Sequence, residues 1–219
     1  MVRYQDSADS LPIRIPDKIP VFPLPNVLLF PGVDLPLYIF EPRYRKMLAD
    51  CIAGNKFIGI SLFKPGWEAR KEPIPSYSVI GVGYVRAMFE NPDGTSHILL
   101  KGTGRVQIAR YVQWEPYRVA RVREMPDQIE DVEELPRLAA KLKKLLLLKL
   151  RFTSENPRRY FNFPKEFKNP ITLSHLACFF TDANPYLKQD LLETAGCNSR
   201  MKHLIDIFEQ EIHPSATRN

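Results

Sequence analysis

Two periods divide the chain. From Ile19 to about Arg123 the apolar residues fall in short runs and alternations, and from about Ile129 they recur at three- and four-residue spacing. "LPLYIF" sets Leu35, Leu37 and Ile39 against Pro36, Tyr38 and Phe40, the pattern of a strand covered on both faces. In "EPRYRKMLADCIAG" a helical stripe of Tyr44, Met47, Leu48, Cys51 and Ile52 opposes Arg43, Arg45, Lys46 and Asp50. Pro42 suits the first turn of that helix, Glu41 its positive end and Gly54 its stop. "FIGISLF" reads as a buried strand and "KPGWEARKEPIPSY" as a long charged loop. "VIGVGYVRAMFE" and "TSHILLKG" flank "NPDG", a hairpin signal. Gly102 and Gly104 bracket a further tight turn before "RVQIARYVQ", and "YRVARVRE" closes the β part. Short strands at turn spacing with one helix among them predict a small, strongly bent β barrel or pseudobarrel.

The second period is helical. "ELPRLAAKLKKLLLLKLRF" carries Leu135, Leu138, Leu142 and Leu145 in one stripe, widened by Leu146 and Leu150. "NPITLSHLACFFT" and "NPYLKQDLLETAG" are two more helices, each opened by Asn-Pro, and "SRMKHLIDIFEQEI" is the last. The expected organisation is a loose arm at 1–17, a β subdomain at 18–126, a helical bundle at 127–213 and a tail at 214–219. The class is α+β.

Composition narrows the function. Hydrophobic content of 44% and charged content of 26% are ordinary for a globular domain, whereas twenty prolines against ten glycines are not. The N-terminus lacks the apolar core of a signal peptide, and the leucine run from Leu145 to Leu148 is far too short to span a bilayer. Cys51, Cys178 and Cys197 form a sparse, odd set that fits a reducing compartment, so a cytoplasmic location without membrane contact is expected. Ten Lys/Arg against two Glu between Arg137 and Lys168 concentrate the positive charge in one segment of a chain whose net charge is +6. Nucleic acid or an acidic protein surface is the partner such a segment would suit.

"FPLPNVLLFPGVDLPLYIFEPRY" resembles the start of the N-terminal, substrate-recognition domain of the Lon protease family, where such a motif supplies the first strands and the first helix. The Asp93-Gly94 hairpin, "LLKGTGRVQI", "YRVARV", "LKQDLLET" and "SRMKHLIDIF" extend the resemblance over roughly Ile19 to Ile212. The resemblance implies a PUA-like bent β pseudobarrel with one inserted helix, followed by a C-terminal α-helical bundle. On this reading Pro23, Pro25, Pro31 and Pro36 are corners of the barrel and Pro42 opens its helix. No GxxxxGK[ST] phosphate loop is present, and "KGTGR" has neither the length nor the Lys-Ser/Thr. The expectation is a free-standing relative without ATPase or peptidase activity, requiring no cofactor.

Four further constellations carry candidate chemistry. His175, Cys178, Cys197 and His203 have the chemistry of zinc ligands, but Cys178 lies on an apolar helix face, and packing is the expected role. Ser96, His97, Glu41 and Asp50 assemble no nucleophile, base and orienter, so no catalytic residue is expected. Recognition of unfolded or partner polypeptide, with a Lon-type protease as a further partner, is the function the resemblance implies. Phe63, Trp67, Met88 and Phe89 are its candidate contacts. The alternative is RNA or other nucleic acid at Lys141, Lys144, Arg158 and Arg159, interleaved with Tyr160, Phe161, Phe163 and Phe167.

Overall fold

The computed structural model describes residues 4–5, 14–151 and 168–212, in two units, 1–125 and 126–219. Most of the expected arm, the tail, and Arg158, Arg159 and their neighbouring aromatics lie outside the described residues.

In the first unit the described strands are β1 (Tyr4–Gln5), β2 (Lys18–Leu24), β3 (Asp34–Ile39), β4 (Phe57–Leu62), β5 (Val79–Glu90), β6 (Ser96–Gln113) and β7 (Arg118–Glu124). Helix α1 (Pro42–Ala53) is inserted between β3 and β4. The strand order is β1-β5-β4-β2-β7-β6-β3, and β5 also pairs with β6. The pairings from β5 through β4, β2, β7 and β6 therefore return to β5, and the sheet closes on itself. Only the β2–β4 pair is parallel among those described.

Two cores follow from this closure. Ile19, Val21, Phe57, Ile80, Val82, Val106, Ala120 and Val122 form one cluster. In the other, Tyr44, Met47, Leu48 and Cys51 of α1 pack with Phe22, Leu29, Ile39, Ile58, Val85, Ile98 and Leu100. The α1 stripe is thus the one read from the sequence. Apolar area removed from water stabilises by about 25 cal/mol per Å², so a helix burying four such side chains is held mainly by this face.

The prolines differ from the expectation. Pro25 and Pro31 do lie at bends between β2 and β3, but Pro23 and Pro36 lie inside strands. β2 pairs with β7 from Lys18 to Val21 and with β4 from Val21 to Leu24. Pro20 falls where only β7 is alongside and Pro23 where only β4 is, so the missing donor of each can face a side with no ladder. Pro36 lies in β3, whose described partner is β6 alone. Proline marks half-open edges here as well as corners.

Gly102 and Gly104 form no turn; β6 runs through them unbroken. The reason is close approach. A Cβ on Gly102 would lie 2.1 Å from the carbonyl oxygen of Phe30, and one on Gly81 1.7 Å from that of Leu29. The Gly102 amide donates to Val33 O (2.8 Å), and Gly32 N donates to Gly102 O (2.9 Å). The segment carrying buried Leu29 and Phe30 can cross this closely only over glycine.

The second unit contains, among its described residues, α2 (Leu135–Arg151), α3 (Pro170–Phe180), α4 (Pro185–Glu193) and α5 (Cys197–Ile212). Both Asn-Pro signals are N-caps: Asn169 accepts from the amides of Ile171 and Thr172, and Asn184 from those of Tyr186 and Leu187. Arg200 is fully buried on α5. Its guanidinium donates to Asp127 Oδ1 (2.6 Å), Ser174 Oγ (2.9 Å) and Thr194 O (2.7 Å), while His175 Nε2 meets Asp127 Oδ2 at 2.9 Å. A buried charge satisfied this fully joins α3, α5 and the chain entering the bundle.

Candidate functional site

The three-stranded corner made by β3, β6 and β5 exposes what a sheet usually covers. Leu37 is opposite Ile98, Ile39 opposite Ser96 and Met88 opposite Ile98, and these side chains face the core beneath α1. The alternate residues face outward. Tyr38 pairs with His97, and His97 with Phe89, so three rings stand in one row across three strands. Tyr38 and His97 stack with centroids 4.7 Å apart, and Phe40 stacks on Tyr38 at 5.7 Å. Tyr38 is 46% exposed, Phe40 57% and Phe89 39%. Beside them Pro36, Leu99 and Ala87 form a second outward row by the same register.

Local chemistry fixes the row. The hairpin loop "NPDGT" bends with Gly94 at φ 79°, which glycine adopts without strain. Asp93 accepts from the amide and hydroxyl of Thr95, at 2.9 and 2.7 Å. These bonds, with the charge of Arg45, hold the Asp93 carboxyl below its ordinary range. Tyr38 donates its hydroxyl to Thr95 Oγ1 (3.1 Å), so the hairpin holds the ring that leads the row. A bulge between Val85 and Ala87 makes Arg86 the extra residue. That bulge decides the faces: Val85 and Met88 turn inward, Ala87 and Phe89 outward. Arg86 reaches across to Asp34 (3.2 Å) at the border of the patch.

The sequence candidates separate accordingly. Phe89 is on the exposed row. Met88 packs against the core beneath α1, as the bulge dictates. Phe63, expected on the surface of the loop, is 7% exposed, because its backbone bridges Ser76 and its ring lies under Trp67. Trp67, half-buried, stacks on Phe63 at 5.3 Å. Tyr38 and Phe40 were expected to be covered and are not. In α2, Lys141 is paired with Glu209 (2.7 Å) and Lys144 is exposed; Arg158 and Arg159 lie outside the described residues.

A second feature of this unit was missed. Trp114, 51% exposed, stands at the mouth of a cleft of about 200 Å³ with Tyr44, Tyr117, Arg43, Arg118 and Glu72. Arg118 lies over the Trp114 ring at 5.5 Å. Glu72 accepts from Arg43 Nη1 (2.9 Å) and Arg118 Nη2 (3.1 Å). Partial burial pushes the Glu72 carboxyl up, but hydrogen bonds from Arg43 and the Ile74 amide, with both arginine charges, outweigh it and hold it below its ordinary range. Tyr117 donates to Asp50 Oδ2 (2.7 Å), and its phenol is pushed up to about 12 by burial and by that carboxylate. The charges of this cleft satisfy one another, whereas the aromatic row has no such internal saturation.

Among the described residues no group of three or more His, Cys, Asp or Glu side chains could hold a metal ion, and no helix is long and apolar enough to cross a membrane. Cys51, Cys178 and Cys197 are buried free thiols, and burial pushes Cys51 up to about 12. Their burial suits packing in the cores.

The first unit is thus a closed sheet that turns an apolar face outward, and the second is helical. Residues 18–210 match the ATP-dependent protease La (LON) substrate-binding domain, and the chain belongs to that family. Among curated relatives, the Lon protease of Dictyoglomus thermophilum is 24% identical over 200 residues, covering 90% of this chain and 25% of the relative. That of Flavobacterium johnsoniae is 27% identical over 216 residues, covering 94% and 26%. The chain thus spans about a quarter of the length of these relatives. The fold is similar to the N-terminal domain of Lon protease from the Mycobacterium avium complex (TM-score 0.66, 21% identity, 88% of this chain and 98% of that one). It is also similar to a Lon N-terminal domain protein from Xanthomonas campestris (TM-score 0.62, 20% identity, 86% and 97%).

Proposed function

We propose that this chain recognises non-native polypeptide without catalysing a reaction, as a substrate-selecting component related to Lon-type proteolysis, and that the row of Tyr38, Phe40, His97 and Phe89 is where it does so. One observation carries the reading: ordered aromatic rings stand exposed on a hydrogen-bonded sheet, where a soluble domain gains nothing by displaying them. Rigid aromatics bind apolar side chains at low entropic cost and tolerate many sequences, which suits a receptor for unfolded segments. Trp67, stacked on Phe63, is a further contact in the same unit, and Phe63 and Met88 support from beneath. The closed strand pairing supports a PUA-like pseudobarrel as the fold type, and three buried free thiols suit a reducing cytoplasm. A Lon-type protease is the partner to which such a receptor would deliver substrate.

Titration of a fluorescein-labelled, reduced and carboxymethylated protein, followed by anisotropy, tests the reading. Tyr38→Ser/Phe89→Ser should weaken binding about tenfold or more, and the wild-type affinity should survive a rise from about 0.05 to about 0.5 M salt. Unchanged affinity in the double variant, or binding that collapses with salt and moves to RNA, would transfer the function to the basic segment of Lys141, Lys144, Arg158 and Arg159.

A further inference from the structure

The closed sheet leaves two stretches of strand edge beside the aromatic row, and they are treated differently. One is the outer edge of β3, whose described partner is β6 alone. Pro36 lies in the middle of that strand, so an added strand would find a donor missing; proline is a common guard of such edges. The other is the end of β5. Its ladder with β4 runs from Ile60↔Gly81 to Phe57↔Tyr84, and Val85 N still donates to Lys56 O (2.8 Å). β4 has ended by then, and from Arg86 to Phe89 β5 carries no proline. Here the chain's own β1 is seated, antiparallel, with Tyr4 opposite Met88 and Gln5 opposite Ala87. β1 is two residues long, and no other described strand pairs with it.

Resting on the reading above, we infer that the Arg86–Phe89 edge of β5 takes up an extended polypeptide segment as an added strand, in the place that Tyr4 and Gln5 occupy in the free protein. The occupant is defined by its chemistry. It must be extended, free of proline over the paired residues, and apolar at every second position. Side chains of an added strand alternate between faces, and those on the outer face stand next to Phe89 and continue the row of Phe89, His97 and Tyr38. Backbone bonds then supply affinity that any sequence can use, and the aromatic row supplies the preference for apolar side chains. The bulge at Arg86 serves both ends: it turns Phe89 outward and stands where the ladder with β4 gives way to β1. A two-residue strand makes few bonds and is displaced at low cost, so β1 keeps the edge covered without closing it.

Two full-length variants test this with the same labelled, carboxymethylated protein. Tyr4→Pro/Gln5→Pro removes the donors of β1 and should tighten binding about threefold or more, since a competing segment lowers apparent affinity by the fraction of sites it fills. Gln5→Cys/Ala87→Cys should lock β1 to the edge on oxidation, abolishing strand addition, with reductant restoring it; thiol counting establishes that the lock has formed. Amide hydrogen exchange supplies the backbone readout. Arg86–Phe89 should lose protection in the proline variant and regain it with polypeptide. If the locked protein binds as the reduced one does while Tyr38→Ser/Phe89→Ser still fails to bind, strand addition is wrong and the aromatic row stands alone. A lock that does not form, or a proline variant that dimerises instead of gaining affinity, overturns the inference too, the second outcome in favour of edge-to-edge pairing of two copies. Loss of the aromatic-row effect would remove the earlier reading itself.

Discussion

Gly81 has no room for a methyl group, and the first unit is built around that fact. With the Leu29 carbonyl 1.7 Å from where a Cβ would sit, Gly81→Ala should lower the stability of the first unit by about 3 kcal/mol in urea unfolding. Gly66, with open space but φ at +76°, should lose only about 1 kcal/mol on the same change. The readout is clean because both tryptophans, Trp67 and Trp114, lie in that unit. Equal effects of the two substitutions would contradict the close-approach account. In the second unit, Arg200→Met strands the Asp127 carboxylate that also faces His175. It should destabilise the helices by about 3–5 kcal/mol, read by circular dichroism at the helical band. Glu72 gives a pH signature. Its carboxyl is held below the ordinary 4.5, so its ion pairs add stability above that value, and this is lost as pH falls through the lowered one. In a Trp67→Phe background, Trp114 emission should change over that acid range, and Glu72→Gln should abolish the change; an identical transition in both proteins would rule Glu72 out.

Elements show what could and could not be read from the residues. Helices with strong local signals were legible: the α1 stripe, and the Asn-Pro caps of α3 and α4, where Asn169→Ala should remove about 1 kcal/mol from thermal stability of the bundle. No change in that melt would show the cap to be redundant. Strand faces were less legible, for a physical reason. Alternation counted from buried Val85 puts Phe89 inside, and a single extra residue at Arg86 reverses it. "LPLYIF" has apolar residues on both faces, and periodicity alone does not say whether the second is covered by protein or left to a ligand. Whereas His97↔Phe89 belongs to the local hairpin, the Tyr38↔His97 pairing joins residues more than fifty positions apart, as does the passage of Leu29 and Phe30 over Gly81 and Gly102. Such contacts have no local signature. Gly102 and Gly104 look like a turn for that reason, and Trp114 carries no local signal because Arg43 and Glu72, which complete its cleft beside nearby Arg118, come from elsewhere in the chain.

The first unit, taken whole, couples a closed sheet to an open apolar face. Phe89 and His97 stand on strands held in the ring and Tyr38 on the strand added at its edge, and Tyr38, Phe40 and Phe89 are exposed to water. Net charge of +6, with the excess between Arg137 and Lys168 offset by acidic residues elsewhere in the second unit, gives long-range attraction to acidic partners but no preference for unfolded over folded ones. Preference of that kind requires apolar contact, and the chain belongs to the ATP-dependent protease La (LON) substrate-binding domain family. Backbone amide NMR shifts of the full chain, recorded while unlabelled carboxymethylated polypeptide is added, test this directly. The account predicts that the perturbed amides gather at 36–40, 86–90 and 96–99. Perturbations gathered instead along α2 around Lys141 and Lys144, with those three segments unmoved, would contradict it.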